Sequence, residues 1–85
     1  MYKVDLRRNA IKYLGKLEKG IRTRIITALL ELEKTPRPRG VEKVQGTELL
    51  RTREGDYRIV YDVDDKEKII TVVRIGHRRE IYRGF

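Results

Sequence analysis

The sequence predicts an α+β fold: a small, twisted, mainly antiparallel sheet with an N-terminal helical hairpin on one face, in the order β-α-α-β-β-β. Three observations carry this expectation. Between Ala10 and Lys34 the apolar residues recur every third or fourth position, the period of a helix with one buried face. From Leu49 to Ile75 they alternate or run together, as strands do. The joints between these segments are short, so neighbouring elements fold back on one another. At 85 residues the chain reads as one domain spanning 1–85, since so short a chain rarely divides into two cores.

Each element has its own signal. Tyr2, Val4 and Leu6 alternate with Lys3 and Asp5, which predicts a first strand expected to pair with the last. Asn9 suits the N-cap of a helix running to about Glu18, with Ile11, Leu14 and Leu17 on one face. Gly15 inside it costs about 1 kcal/mol relative to Ala. Lys19-Gly20 reads as a tight joint. A second helix follows from Ile21 to Lys34, its stripe of Ile21, Ile25, Leu29 and Leu32 broadened by Ile26 and Leu30. Pro36 and Pro38 end it, because proline supplies no amide donor and disfavours helical geometry before it.

Val41 to Gly46 reads as connection. Strands are then expected over Leu49–Glu54, Tyr57–Val63 and Ile69–Ile75, joined by polar turns at Gly55-Asp56 and at Asp64 to Glu67. Gly76 to Arg83 reads as a tail. A period of two puts Tyr57, Ile59, Tyr61 and Val63 on one face and Arg58, Val60 and Asp62 on the other. The same rule sets Ile69, Thr71, Val73 and Ile75 against Ile70, Val72, Arg74 and Gly76. Apolar residues thus fall on both faces. The helices cover one, and a partner protein is expected on the other.

Composition narrows the function. Lys and Arg number 21 against 13 Asp and Glu, a formal charge of +8 that attracts polyanions or an acidic partner. Arginines cluster in the second half, and guanidinium pairs with phosphate in a bidentate way. The absence of cysteine excludes disulfides and thiolate metal sites. No stretch approaches the ~20 apolar residues of a membrane span, and the N-terminus has no apolar signal core. The expectation is a cytoplasmic protein that uses neither cofactor, metal nor membrane.

Two motifs carry a family resemblance. Arg51-Thr52-Arg53-Glu54-Gly55-Asp56-Tyr57-Arg58-Ile59-Val60-Tyr61 resembles the arginine-rich strand, turn and following strand of the RelE/ParE toxin superfamily. Ile75-Gly76-His77-Arg78-Arg79-Glu80-Ile81-Tyr82 resembles its closing motif, and Lys43-Val44-Gln45-Gly46 its basic lead-in. The resemblance spans nearly the whole chain. It implies the toxin of a type II toxin–antitoxin pair, held by a cognate RelB-like antitoxin. RelE-like members act on mRNA in the ribosomal A site, whereas ParE-like members of the same fold block DNA gyrase. A third alternative is a catalytically weakened RNA-binding relative.

Metal-free RNA cleavage needs a proton acceptor for the ribose 2′-hydroxyl, cations for the charge growing on phosphorus, and stabilisation of the leaving oxygen. The resemblance implies Arg58 at the phosphate, Arg78 near the leaving group and Tyr82 against a base. Arg51 stands where relatives carry a lysine. Arg53, His77 and Arg79 are candidate substrate-binding residues. The resemblance is incomplete at Leu49 and Arg51, where lysines can stand. Arginine stays protonated and is a poor base, so the acceptor is open: His77 titrates in the right range, but strand parity sets it opposite Arg78. Arg58 has a plainer alternative as well, a cross-strand ion pair with Asp56, Asp62 or Glu48.

Overall fold

The computed structural model describes residues 1–80. β1 (Lys3–Leu6) leads into α1 (Arg8–Lys16) and α2 (Lys19–Lys34), and β2 (Glu42–Lys43), β3 (Leu50–Glu54), β4 (Tyr57–Asp64) and β5 (Ile69–His77) follow. The strands form one five-stranded sheet in the order β1-β5-β4-β3-β2. β1 runs parallel to β5 and the other pairs are antiparallel. The expected fold class and the pairing of first strand with last are both found. Among the described residues no helix is long and apolar enough to cross a membrane.

Local details depart from simple propensity. Arg7 still belongs to the sheet, its N–H donating to the Val72 carbonyl at 3.0 Å, so α1 starts immediately after it. Arg7 and not Asn9 therefore holds the capping position, and no side chain caps the helix. The joint between the helices is Leu17-Glu18, whose ψ angles of 149° and 148° break the helix. Lys19-Gly20, expected as that joint, is the first turn of α2. The stretch expected as plain connection contains β2, which pairs Glu42 with Arg51 and Lys43 with Leu50. β5 runs on through His77, so Gly76 and His77 are strand and not tail.

The helices cover one face of the sheet. Ala10, Ile25, Leu29 and Leu32 pack there on Ile59, Tyr61, Ile70, Val72 and Ile75, all buried. Each large aliphatic group so placed contributes about 1.5–3 kcal/mol. Tyr61 is fully buried, and its hydroxyl donates to the Pro36 carbonyl at 2.7 Å. Burial pushes that hydroxyl's pKa up to about 12, against a smaller opposing pull from Arg37. The free edge of β1 meets α2: the Tyr2 N–H donates to the Glu33 carbonyl at 2.9 Å and the Val4 N–H to the Glu33 carboxylate at 3.3 Å.

Strict alternation fails in β5. The register with β4 shifts between Val60, opposite Arg74, and Tyr61, opposite Val72, leaving Val73 as an extra residue. Such a bulge redirects every side chain beyond it. Ile75 therefore joins Ile70 and Val72 in the helical core, while Arg74 stands across from Val60 on the other, open face. Both assignments reverse the parity expected from sequence. Asn9 is recruited here: its Nδ2 donates to the Val73 carbonyl at 3.0 Å, which anchors α1 to the bulge.

The open face is partly covered by the chain itself. Val44, on the β2–β3 connection, buries Val60, with Leu49 and Val73 packed alongside. Among the described residues the large apolar side chains left in solvent lie elsewhere, at Met1 and on the helices, where Ile11 is 57 % exposed, Leu30 55 % and Ile26 41 %. Apart from Met1, the large exposed apolar side chains among the described residues are thus on the helical layer.

Candidate functional site

The open face concentrates the arginines. Register places Arg51 opposite Val60, Arg53 opposite Arg58, and Arg58 opposite Gly76, so the three arginines share one face of β3 and β4. Arg53 and Arg58 are like charges directly across from each other, an arrangement that costs stability in a sheet. Gly76, the cross-strand partner of Arg58, presents no side chain of its own beside it. Arg78 arrives just past β5, where its N–H donates to the Asp56 carbonyl at 2.8 Å. Together with Gly40, Glu42 and Thr52, these four arginines line an open cleft of about 320 Å³.

Each arginine is held differently. The Arg58 Nη1 donates to the carbonyls of Gly55 and Tyr57, both at 3.2 Å. Asp56, Asp62 and Glu48 do not pair with it, and among the described residues no carboxylate lies within 4.0 Å of its guanidinium. The turn beneath it depends on Gly55, which takes φ 61° and against which the Arg24 guanidinium lies so close that a Cβ would meet it at 2.8 Å. Arg24 is fixed there by Glu54 at 3.0 Å. Arg51 bonds Glu42 at 3.0 Å, and the Arg78 Nε lies 3.9 Å from the Asp56 carboxylate, a loose, exposed pair.

The remaining candidates lie apart from these. His77 pairs with Tyr57 and so faces the helices, its ring edge-on to that of Tyr57 with centroids 5.5 Å apart. Its N–H donates to the Tyr13 hydroxyl at 3.0 Å, and its Nδ1 accepts from the Arg79 N–H at 3.2 Å. Burial raises the pKa of that Tyr13 hydroxyl, partly opposed by the bond from His77. Arg79 is exposed and does not line the cleft. Tyr82 lies outside the described residues. Glu42 was missed in the sequence, since a two-residue charged strand has no period to detect; only its pairing with Arg51 reveals it. Among the described residues no three His, Asp or Glu are grouped to hold a metal ion.

Comparison with known proteins agrees with the fold and the motifs. The family described as ParE toxin of type II toxin–antitoxin system, parDE, matches residues 4–82. Toxin RelG of Mycobacterium tuberculosis is 35% identical over 66 residues, covering 71% of this chain and 76% of that protein. The archaeal RelE–RelB complex from Pyrococcus horikoshii contains a chain that is 34% identical, with TM-score 0.82 over 93% of this chain and 97% of that one. In the intact Escherichia coli RelBE toxin–antitoxin complex a chain 26% identical superposes with TM-score 0.79, over 91% and 96%. The chain therefore belongs to the RelE/ParE superfamily and is a toxin of a type II toxin–antitoxin system.

Proposed function

We propose that this toxin is a metal-independent endoribonuclease that cuts mRNA in the ribosomal A site and so stops translation in the cytoplasm. The observation that supports it best is the cross-strand Arg53–Arg58 pair, with Arg51, Arg78 and the Glu42 carboxylate around the same cleft. Opposed like charges destabilise the free protein and become favourable when an anion lies between them. A phosphodiester in the cleft places its non-bridging oxygens against Arg58 and Arg53. The ribose 2′-oxygen attacks the adjacent phosphorus, its proton passes to the Glu42 carboxylate, and the bond to the 5′-oxygen breaks. The products are a 2′,3′-cyclic phosphate and a 5′-hydroxyl. Arg78, at the rim, hydrogen-bonds the leaving oxygen, which takes its proton from solvent. Arg51 holds Glu42 in place. Arg79 meets the flanking message, and Tyr82 orients a base, as the family resemblance implies. His77, turned to the helices, serves by holding the strand that delivers Arg78.

The partner in this account is a RelB-like antitoxin, as in the similar complexes. The net charge of +8 and the exposed Ile11, Ile26 and Leu30 suit an acidic, amphipathic chain. A second reading is favoured by the family description itself, which is that of ParE: a gyrase inhibitor that makes no catalytic use of the cleft. Primer extension on message from a translating extract separates the two. Added toxin is expected to produce new 5′ ends within A-site codons. Intact message together with inhibited supercoiling by gyrase would establish the second reading instead.

A further inference from the structure

The open face carries a second basic groove outside the cleft, lined by Arg7, Asn9, Leu49, Val73 and Arg74. None of these lines the cleft, and none is acidic. The groove is a product of the bulge. The extra residue Val73 turns Arg74 out beside Val60, where unbroken alternation would have sent it under the helices. Arg7 comes from the opposite side, fixed by its N–H bond to the Val72 carbonyl. Asn9 is fixed by its bond to the Val73 carbonyl. Backbone pairing thus sets both arginines on the same face as the cleft.

The two basic sites are in line. Arg51, Val60 and Arg74 are cross-strand partners on three successive strands. Two strand spacings, about 10 Å, therefore separate the backbones of Arg51 and Arg74. Between them Val60 is buried under Val44, and the half-buried side chains of Leu49 and Val73 form the apolar surface alongside. Cations on either side of the Leu49 and Val73 side chains suit a single-stranded polyanion, whose phosphates pair with the charges while sugars and bases lie against those two side chains.

We propose that Arg7, Asn9 and Arg74 form a second subsite, which holds a phosphodiester of the same single-stranded RNA outside the scissile linkage. The inference rests on RNA occupying the cleft, yet it can be tested without cleavage. The probe is a fluorescein-labelled RNA decamer with 2′-O-methyl riboses throughout, which cannot be cut, titrated with toxin at several salt concentrations. R7Q and R74Q are each expected to weaken binding roughly fivefold at low salt. Each should also lower the slope of log affinity against log salt by about 0.7, the value for one phosphate contact on a single strand. R74K should restore the slope, which separates lost charge from lost packing at this half-buried position. Arg7 is exposed, so R7Q tests the groove even if R74Q is poorly folded. In a translating extract, R7Q should raise the toxin concentration giving half-maximal cleavage. R7Q and R74Q binding the decamer with parental affinity and slope would overturn the subsite. Weakened binding in both variants, beside a parental toxin that cuts nothing, would support the subsite and reject the endonuclease reading.

Discussion

The two faces of the sheet are built on opposite principles. Under the helices, Ile59, Tyr61, Ile70, Val72 and Ile75 are buried, and among the described residues no charged side chain is buried with them. On the open face, Arg53 opposes Arg58 across two strands, and among the described residues the only buried hydrophobic pair is Val44 on Val60. The first face supplies the stability and the second draws on it. A small domain has roughly 5–10 kcal/mol in total, so a repulsive pair on one face is tolerable only because the other is closely packed. Arg58 and Ile59 are adjacent in β4 and fall on opposite sides of this division.

The comparison is sharpened first on the packed face. Ile59→Ala should cost about 3 kcal/mol through lost burial and the cavity left behind, and lower the melting temperature by more than about 10 °C in a domain of this size. Circular dichroism during heating measures it. A loss of only a few degrees would mean that this face does not carry the fold. On the open face, Glu42→Gln should slow cleavage roughly 100-fold, as expected for loss of a general base, with little change in melting. Parental cleavage by this variant would remove Glu42 from the reaction.

A third test uses pH. Tyr61 titrates at about 12 when folded, above the ordinary value of 10.0. The raised value means that its stabilising contribution is whole below pH 10 and is lost as pH climbs from about 10 to 12. The loss is about 2–3 kcal/mol, from about 1.4 kcal/mol per unit. Tyr61→Phe should flatten that part of the alkaline stability profile; an unchanged profile would assign the alkaline transition to other groups. The smallest effect is expected at His77. Its replacement by Gln removes an edge-on ring contact worth about 1 kcal/mol and should leave cleavage close to parental, since the ring faces the helices. A collapse of cleavage without loss of folding would bring His77 back to the reaction.

Much of this division was legible in the sequence, and the exceptions have physical causes. The parity of β4 is plain because Arg58 and Asp62 are polar among apolar neighbours. β5 has no such contrast: Ile69 to Val73 is apolar on both faces but for Thr71, so nothing marks where Val73 breaks the period. The arginine motif and Gly55-Asp56 turn located the cleft. Glu42 stayed hidden because β2 is two charged residues long, and only its register with Arg51 brings it to the site. Asn9 has the right chemistry for a helix cap, but the carbonyl at the bulge takes its side chain instead. That competition between local and tertiary partners cannot be decided from neighbouring residues alone.

The most direct test is Arg58→Ala, read as cleavage in a translating extract beside the melting temperature of the same preparation. Cleavage should fall by about 100- to 1,000-fold, the cost of removing one donor aimed at a developing negative charge. Melting should stay level or rise, because the repulsion with Arg53 is relieved. Parental cleavage would contradict the account, as would a loss of stability matching that of Ile59→Ala, which would make Arg58 a part of the scaffold.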